Sequence, residues 1–231
     1  MERFAAVLNR VIDDAVYVLL FLILLMCIYA GYDSCMVYRA AGTKDIIKWK
    51  PEATGDEPVR VLPGSVAWLT VDDTTIDYPV MQGEDNMEYL NKDPYGEYSL
   101  SGSIFLDAAN APDFTDDYSL LYGHHMEYGA MFGSLDKYHE PDYFESHRSG
   151  TLIVGGKSYG IRIFAEIETD ASVNEIFDPK GGYDLRAYLQ EHADIYEEPE
   201  EGRILGLSTC ASYGSTKRTV VFGTVSYTHL R

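Results

Sequence analysis

The sequence predicts a mainly β fold, a β-barrel with helical excursions, carried behind one N-terminal transmembrane helix. Three observations support this. About eight short runs rich in β-branched and aromatic residues are separated by turn residues at the spacing of an all-β domain. One uncharged apolar run lies near the N-terminus. Helix-period patterning is confined to short segments between the strand-like runs.

The apolar run is Ala15–Tyr32 (AVYVLLFLILLMCIYAGY), 18 residues without a charge, bounded by Asp13–Asp14 and Asp33. As a helix it spans roughly 27 Å, close to the thickness of a hydrocarbon core. A cleaved signal peptide would need a shorter apolar core and a small-x-small site, and Ala30-Gly31-Tyr32 fits that poorly. An uncleaved signal anchor is therefore expected. Arg3 and Arg10 precede the span, and Arg39, Lys44, Lys48 and Lys50 follow it. The charge count opposes the usual orientation, but long domains translocate largely regardless of charge. The expectation is an N-terminus inside and the domain outside.

Tyr38–Pro51 reads as a short helix leaving the membrane, and Glu52–Pro58 as a loop. Val66–Val71 and Ile76–Met81 flank the turn Asp72–Thr75, and Pro79 suits an edge or bulge. Ser103–Asp107, Tyr118–Gly123, Thr151–Gly155 and Tyr159–Glu168 continue the pattern, and Ile204–Cys210 and Arg218–Thr224 end it. Gly129–Tyr138 and Asp142–His147 read as short helices. Asp184–Ala193 is a stronger one, with Leu185, Tyr188 and Leu189 at helical spacing.

Composition narrows the function. The 231 residues include 37 acidic and 18 basic side chains, a formal net charge of −19. Such a surface repels a phosphate backbone, whose binding needs clustered Lys and Arg, so nucleic acid is not an expected partner. Hydrophobic residues are 46% and aromatics 13%, so a packed core is expected and global disorder is excluded. Of the three cysteines, Cys27 and Cys35 lie in or beside the apolar run, which leaves Cys210 alone in the domain. That excludes a disulfide framework there. Metal-ligand spacing is missing, the EF-hand pattern is absent, and the acidic clusters read as a solvated face, so neither metal nor cofactor is expected.

Cys210 closes an apolar strand in LSTC, where a rigid sheet holds a side chain among substrate-facing loops. An unpaired cysteine is either a buried small hydrophobe or a reactive thiol. His124, in LLYGHHM, ends another strand, and its neighbour His125 is an equal candidate by sequence alone. Arg218 follows Cys210 by eight residues, which returns it to the same level if the two strands are antiparallel neighbours. Thiol, imidazole and fixed cation together suffice for acyl transfer.

These residues carry a resemblance. From about Arg60 to Thr224 the chain resembles the class B sortases, membrane-anchored cysteine transpeptidases of Gram-positive cell surfaces. Five blocks match in family order: VAWLTVDDTTIDYPVMQGEDNMEYL, GSIFLD, LLYGHHMEYGAMFGSLDKY, LSTC and KRTVV. The resemblance implies an eight-stranded sortase barrel. It makes Cys210 the nucleophile, His124 the general acid/base, and Arg218 the group that binds the oxyanion and positions substrate. Substrate-pocket positions fall on Asn86, Leu90, Tyr122, Ser208 and Ile176, and Asp184–Ala193 corresponds to an excursion that walls the substrate groove. One departure is Gly206, where the family usually has Thr. The implied partners are secreted proteins with a C-terminal sorting signal of the (S/N)PxTx type. The implied acceptor is an amine of a peptidoglycan cross-bridge, of lipid II, or of a pilin lysine.

The expected organisation is a cytoplasmic tail (1–14), a transmembrane signal anchor (15–36), a helix and linker (37–58) and a catalytic domain (59–224). Residues 225–231 (VSYTHLR) resemble the read-through of a sequencing adapter, so the native sequence is expected to stop near Thr224. Two other readings use the same residue types. One is an extracellular cysteine peptidase or hydrolase of another family, such as an L,D-transpeptidase-like enzyme, whose SHGC-type motif is absent. The other is an inactive, membrane-tethered peptide-binding module.

Overall fold

A computed structural model describes residues 2–42, 45–52, 62–210 and 216–227. The chain divides into two units, residues 1–40 and 41–231. The first lies in helix α1 (Glu2–Ala41), which contains an 18-residue window of mean hydropathy 2.5, long and apolar enough to cross a membrane. Its described leucines, isoleucines and phenylalanines, among them Phe4, Ile12, Leu19, Phe21 and Leu24, are exposed on the helix surface. Such a continuous apolar surface is costly in water and suits a lipid environment. The short helix expected over Tyr38–Pro51 is instead the end of α1 followed by a 3-10 turn at Ile47–Trp49. Within the expected loop Glu52–Pro58, residues 53–58 lie outside the described residues.

The second unit is built on β1 (Ser65–Val71), β2 (Asp77–Met81), β3 (Ile104–Leu106), β4 (Tyr118–His124), β5 (Ser149–Val154), β6 (Lys157–Asp170), β7 (Ile195–Tyr196), β8 (Arg203–Cys210) and β9 (Lys217–Tyr227). Their order is β5-β1-β2-β3-β4-β8-β9-β6, and β5 pairs with β6, which closes an eight-stranded barrel; the two-residue β7 adds to β6 from outside. The pairs β2–β3 and β4–β8 are parallel and the others antiparallel. Closure removes the free edges that an open sheet would leave as templates for aggregation.

Side-chain alternation sorts the strands into two faces. Leu69, Val71, Val80, Ile104, Leu106, Leu121, Leu205, Leu207 and Val221 fill the interior, with Phe132, Leu135, Tyr138 and Phe144 packed against them from the segment after β4. On the outer face, Tyr118, Leu120, Ile204, Val220 and Phe222 pack beneath α3 (Asn174–Phe177) and α4 (Leu185–His192). The Asp184 carboxylate caps α4 by accepting from the Ala187 N–H at 3.1 Å, satisfying a donor that the first turn leaves open. Trp68, Met81 and Phe105 form a third cluster with Ile46 and Leu62.

The expected helix over Gly129–Tyr138 is a 3-10 segment, Gly133–His139, preceded by left-handed backbone at Tyr128 and Met131. That over Asp142–His147 is α2 (Pro141–Ser146). β9 extends three residues past Thr224: Val225, Ser226 and Tyr227 pair with Ile161, Gly160 and Tyr159 of β6. Residues 228–231 lie outside the described residues.

One carboxyl is out of place in this frame. Glu166 on β6 is 1% exposed, and its Oε2 has no hydrogen-bond partner among the described residues. Burial, reinforced by the nearby charges of Asp194, Glu168 and Asp136, raises its pKa to about 7. A carboxyl whose folded-state pKa is raised contributes full stability below its unfolded pKa of about 4.5, and that contribution is lost as pH climbs to about 7. Glu166→Gln should therefore match the wild type in urea unfolding near pH 4 and exceed it by about 3 kcal/mol at pH 8. An unchanged pH dependence in the variant would show that Glu166 is not the source.

Candidate active site

Strand register builds the site. β4 and β8 run parallel, and their pairing sets His124 opposite Cys210. β8 and β9 run antiparallel with Ser208 opposite Val220, beyond which the Thr209 hydroxyl bonds the Thr219 backbone, so β8 ends at Cys210 beside the start of β9, where Arg218 is the second residue. His124 and Cys210 thus face each other and, with Arg218 near the start of β9, form a row at one end of three adjacent strands.

The imidazole is oriented by the chain. Nε2 of His124 lies 2.7 Å from the Leu90 carbonyl oxygen. A carbonyl only accepts, so Nε2 carries the proton in the neutral ring and Nδ1 keeps its lone pair. Leu90 ends the 3-10 turn Glu88–Leu90, and that turn is pressed against Gly102 in the left-handed region at φ 57°. A Cβ on Gly102 would lie 2.4 Å from the Leu90 carbonyl oxygen, so glycine here permits the approach that orients His124.

Beside the row is a cavity of about 230 Å³ lined by Asn86, Leu90, Phe105, Tyr122, Ala171, Phe177 and Arg218. Asp107, 4% exposed, organises one wall. Its Oδ2 accepts from Asn86 Nδ2 at 2.8 Å and from the Tyr122 hydroxyl at 2.9 Å, and its Oδ1 accepts from the Ala109 N–H at 2.8 Å. The Tyr122 ring lies 5.4 Å from that of Phe105. Near the opposite wall, Asp170 is held strongly acidic at about 2 by the hydroxyls of Ser172 and Thr216, with a smaller contribution from the Arg218 charge. A larger cavity, of about 400 Å³, opens at the other end of β4 around Asp116, Asp117, Glu175 and Asp178 and is remote from the row.

The structure brings together Asn86, Leu90, Tyr122 and Arg218 of the residues singled out by sequence, while two others do not line this cavity. Ile176 is fully buried in the outer-face cluster, and the next residue, Phe177, lines the cavity. Successive helical residues point about 100° apart, so a one-residue offset exchanges cavity for core. Ser208 is fully buried, its hydroxyl donating to the Thr209 carbonyl at 3.2 Å; its cross-strand neighbour Tyr122 reaches the cavity instead. Nor does α4 line this cavity. It packs Leu185 and Leu189 behind Ile176, and the lining comes from α3 and Ala171. Asp107 and Phe177 went unassigned by sequence reasoning. Asp107 sits inside the matched block GSIFLD and was legible there; Phe177 lies in a divergent stretch and was not.

The departure at Gly206 has a physical counterpart. A Cβ at that position would lie 2.8 Å from the Tyr118 hydroxyl, which donates to the Ile176 carbonyl at 3.0 Å. The tyrosine fills the room that a side chain at 206 would need.

Among the described residues no group of three or more His, Cys, Asp or Glu side chains is arranged to hold a metal. With fold and row in place, comparison with known proteins is direct. The sortase-domain family model matches residues 69–226. The chain is 37% identical over 153 residues to a sortase B of Listeria monocytogenes, covering 63% of this chain and 62% of that protein. It is 32% identical over 169 residues to a sortase B of Staphylococcus aureus, covering 68% of each. The match thus spans a little under two thirds of the Listeria relative. A Streptococcus pyogenes class B sortase involved in pilus biogenesis superposes with TM-score 0.64 at 39% identity, over 71% of this chain and 92% of that one. The Staphylococcus aureus sortase B–substrate complex gives 0.65 at 30%, over 72% and 81%. The chain belongs to the sortase family, within its class B.

Gly206→Thr should force the Tyr118 hydroxyl off the Ile176 carbonyl and cost about 1–3 kcal/mol in urea unfolding. Adding Tyr118→Phe, which removes the crowded oxygen, should recover part of that loss. Strictly additive losses would contradict the packing argument.

Proposed function

We propose that this chain is a membrane-anchored cysteine transpeptidase that cleaves a C-terminal sorting signal of secreted proteins and transfers the acyl group to an amine. The observation that carries this reading is the pairing of His124 with Cys210 across β4 and β8, with Arg218 on the adjoining β9 lining the cavity beside them. His124 takes the Cys210 thiol proton at Nδ1, and the resulting thiolate attacks the carbonyl carbon of the threonine in an (S/N)PxTx-type motif. The tetrahedral adduct collapses with cleavage of the C–N bond, and His124 gives a proton to the departing amine. A thioacyl enzyme remains. An acceptor amine, from a peptidoglycan cross-bridge, lipid II or a pilin lysine, attacks the thioester; His124 takes its proton, and the thiolate leaves. Arg218 lowers the energy of both oxyanions by its fixed charge.

In the tautomer fixed by Leu90, Nδ1 of His124 is the nitrogen available for these transfers. The cavity beside the row, apolar at Leu90, Phe105, Tyr122 and Phe177 and polar at Asn86, supports binding of the residues that precede the scissile bond. The apolar stretch of α1 supports a single-pass anchor, with residues 1–14 inside, 15–36 spanning the membrane, 37–58 linking and the domain from 59 onward outside.

The test is cleavage of a sorting-signal peptide, with and without an added amine. Cys210→Ala should abolish both reactions. His124→Ala and Arg218→Ala should each lower the rate by at least about 100-fold, whereas His125→Ala should lower it by no more than about 10-fold. Full activity in Cys210→Ala would overturn the reading. A dead His125→Ala with an active His124→Ala would reassign the base, and cleavage never diverted by amine would mark a hydrolase.

A further inference from the structure

The residue next to each member of the row belongs to a second network on the other side of the strands. Nε2 of His125, which follows His124, lies 2.6 Å from Oδ2 of Asp136. Thr219, which follows Arg218, donates its hydroxyl to Oδ1 of the same carboxylate at 3.2 Å. Thr209, which precedes Cys210, accepts from the Thr219 N–H at 3.1 Å and donates to the Thr219 carbonyl at 3.4 Å. One carboxylate therefore touches the neighbour of His124 and the neighbour of Arg218, and reaches the neighbour of Cys210 through Thr219.

Position in the fold gives this network its weight. The regular β8–β9 ladder ends at Ser208–Val220, so Cys210 at the end of β8 and Arg218 near the start of β9 both lie beyond it. There the Thr209–Thr219 bonds join the strands, and Asp136 holds Thr219. Asp136 itself is well anchored. Its 3-10 segment is fixed by Leu135 and Tyr138, both fully buried in the barrel interior. The strand-end histidines are tied to the residues leading into that segment, because the His124 carbonyl accepts from the Phe132 N–H at 3.0 Å and His125 bridges Met131.

We propose that Asp136 is a positioning residue for the transfer reaction: from behind the sheet it fixes the relative placement of the His124, Cys210 and Arg218 backbones. This rests on the transpeptidase reading above. Asp136 acts only through its neighbours. Its removal alters alignment, on which the chemical step depends steeply, while the cavity that binds peptide keeps its lining.

The experiment measures kcat and KM for peptide cleavage by the full chain in detergent or nanodiscs, alongside thermal unfolding. Asp136→Ala should lower kcat about 10-fold or more with KM within about twofold. Asp136→Asn, which keeps one acceptor oxygen, should fall between. The double variant Asp136→Ala/Thr219→Val should be no slower than Asp136→Ala alone, since both break one unit. If Asp136→Ala does not fold, Thr219→Val carries the test with the same expected split. A kcat within twofold of wild type, or a loss that appears in KM alone, overturns the inference. An inactive wild type, or an active Cys210→Ala, overturns the transpeptidase reading instead, so the two failures are distinguishable.

Discussion

The register of three adjacent strands is the constraint on which the rest of the molecule depends. Parallel pairing of β4 with β8 sets residues 124 and 210 opposite each other, although 86 residues of chain separate them, and antiparallel pairing of β8 with β9 brings residue 218 to the same end. A slip of one residue in either pairing would turn a whole strand over and exchange its interior and outer faces. The interior cluster makes such a slip expensive. Leu121, Leu205, Leu207 and Val221 are all less than 2% exposed, and each would trade places with an outward-facing neighbour. The apolar pattern that closes the barrel is thus also what aligns the site.

Around that row the chain uses rigid backbone contacts to orient side chains. His124 is directed by the carbonyl of Leu90, which Gly102 allows to come close. Asn86 and Tyr122 are directed by the buried Asp107. Phe177 follows from the burial of Ile176 and from the Tyr118 hydroxyl that holds the Ile176 carbonyl. Each device places a surface group by means of a buried one, which is how a site built at strand ends and loops keeps its geometry.

Much of this was legible in the sequence, and the boundary has physical causes. The strands were readable because period-2 alternation and turn residues are local signals; β7, with two residues, falls below the length at which alternation can be seen. The reading of Arg218 at the level of Cys210 assumed that their strands are antiparallel neighbours, and β8 and β9 do pair that way. Other features were set by tertiary packing. The choice of Phe177 over Ile176 depends on the rotation of a four-residue helix that has no side-chain cap of its own. Ser208 was expected at the substrate surface, yet it is buried in the row shared with Tyr122. The role of His125 could not be separated from that of His124 by sequence; alternation along the strand end separates them, one bonded to Leu90 and the other to Asp136.

The central claim is that the row of His124, Cys210 and Arg218 performs acyl transfer through the sulfur of Cys210. Its most direct test is peptide mapping by mass spectrometry, after the full chain is incubated with a sorting-signal peptide without acceptor amine and quenched in acid. The chain contains three cysteines, Cys27, Cys35 and Cys210, so the location of an adduct is informative. The account predicts an acyl fragment ending at the threonine, in thioester linkage to Cys210 alone, and its loss when amine is added. Cleavage of the peptide with no adduct in Arg218→Ala or wild-type enzyme, or an adduct on any other residue, would contradict it.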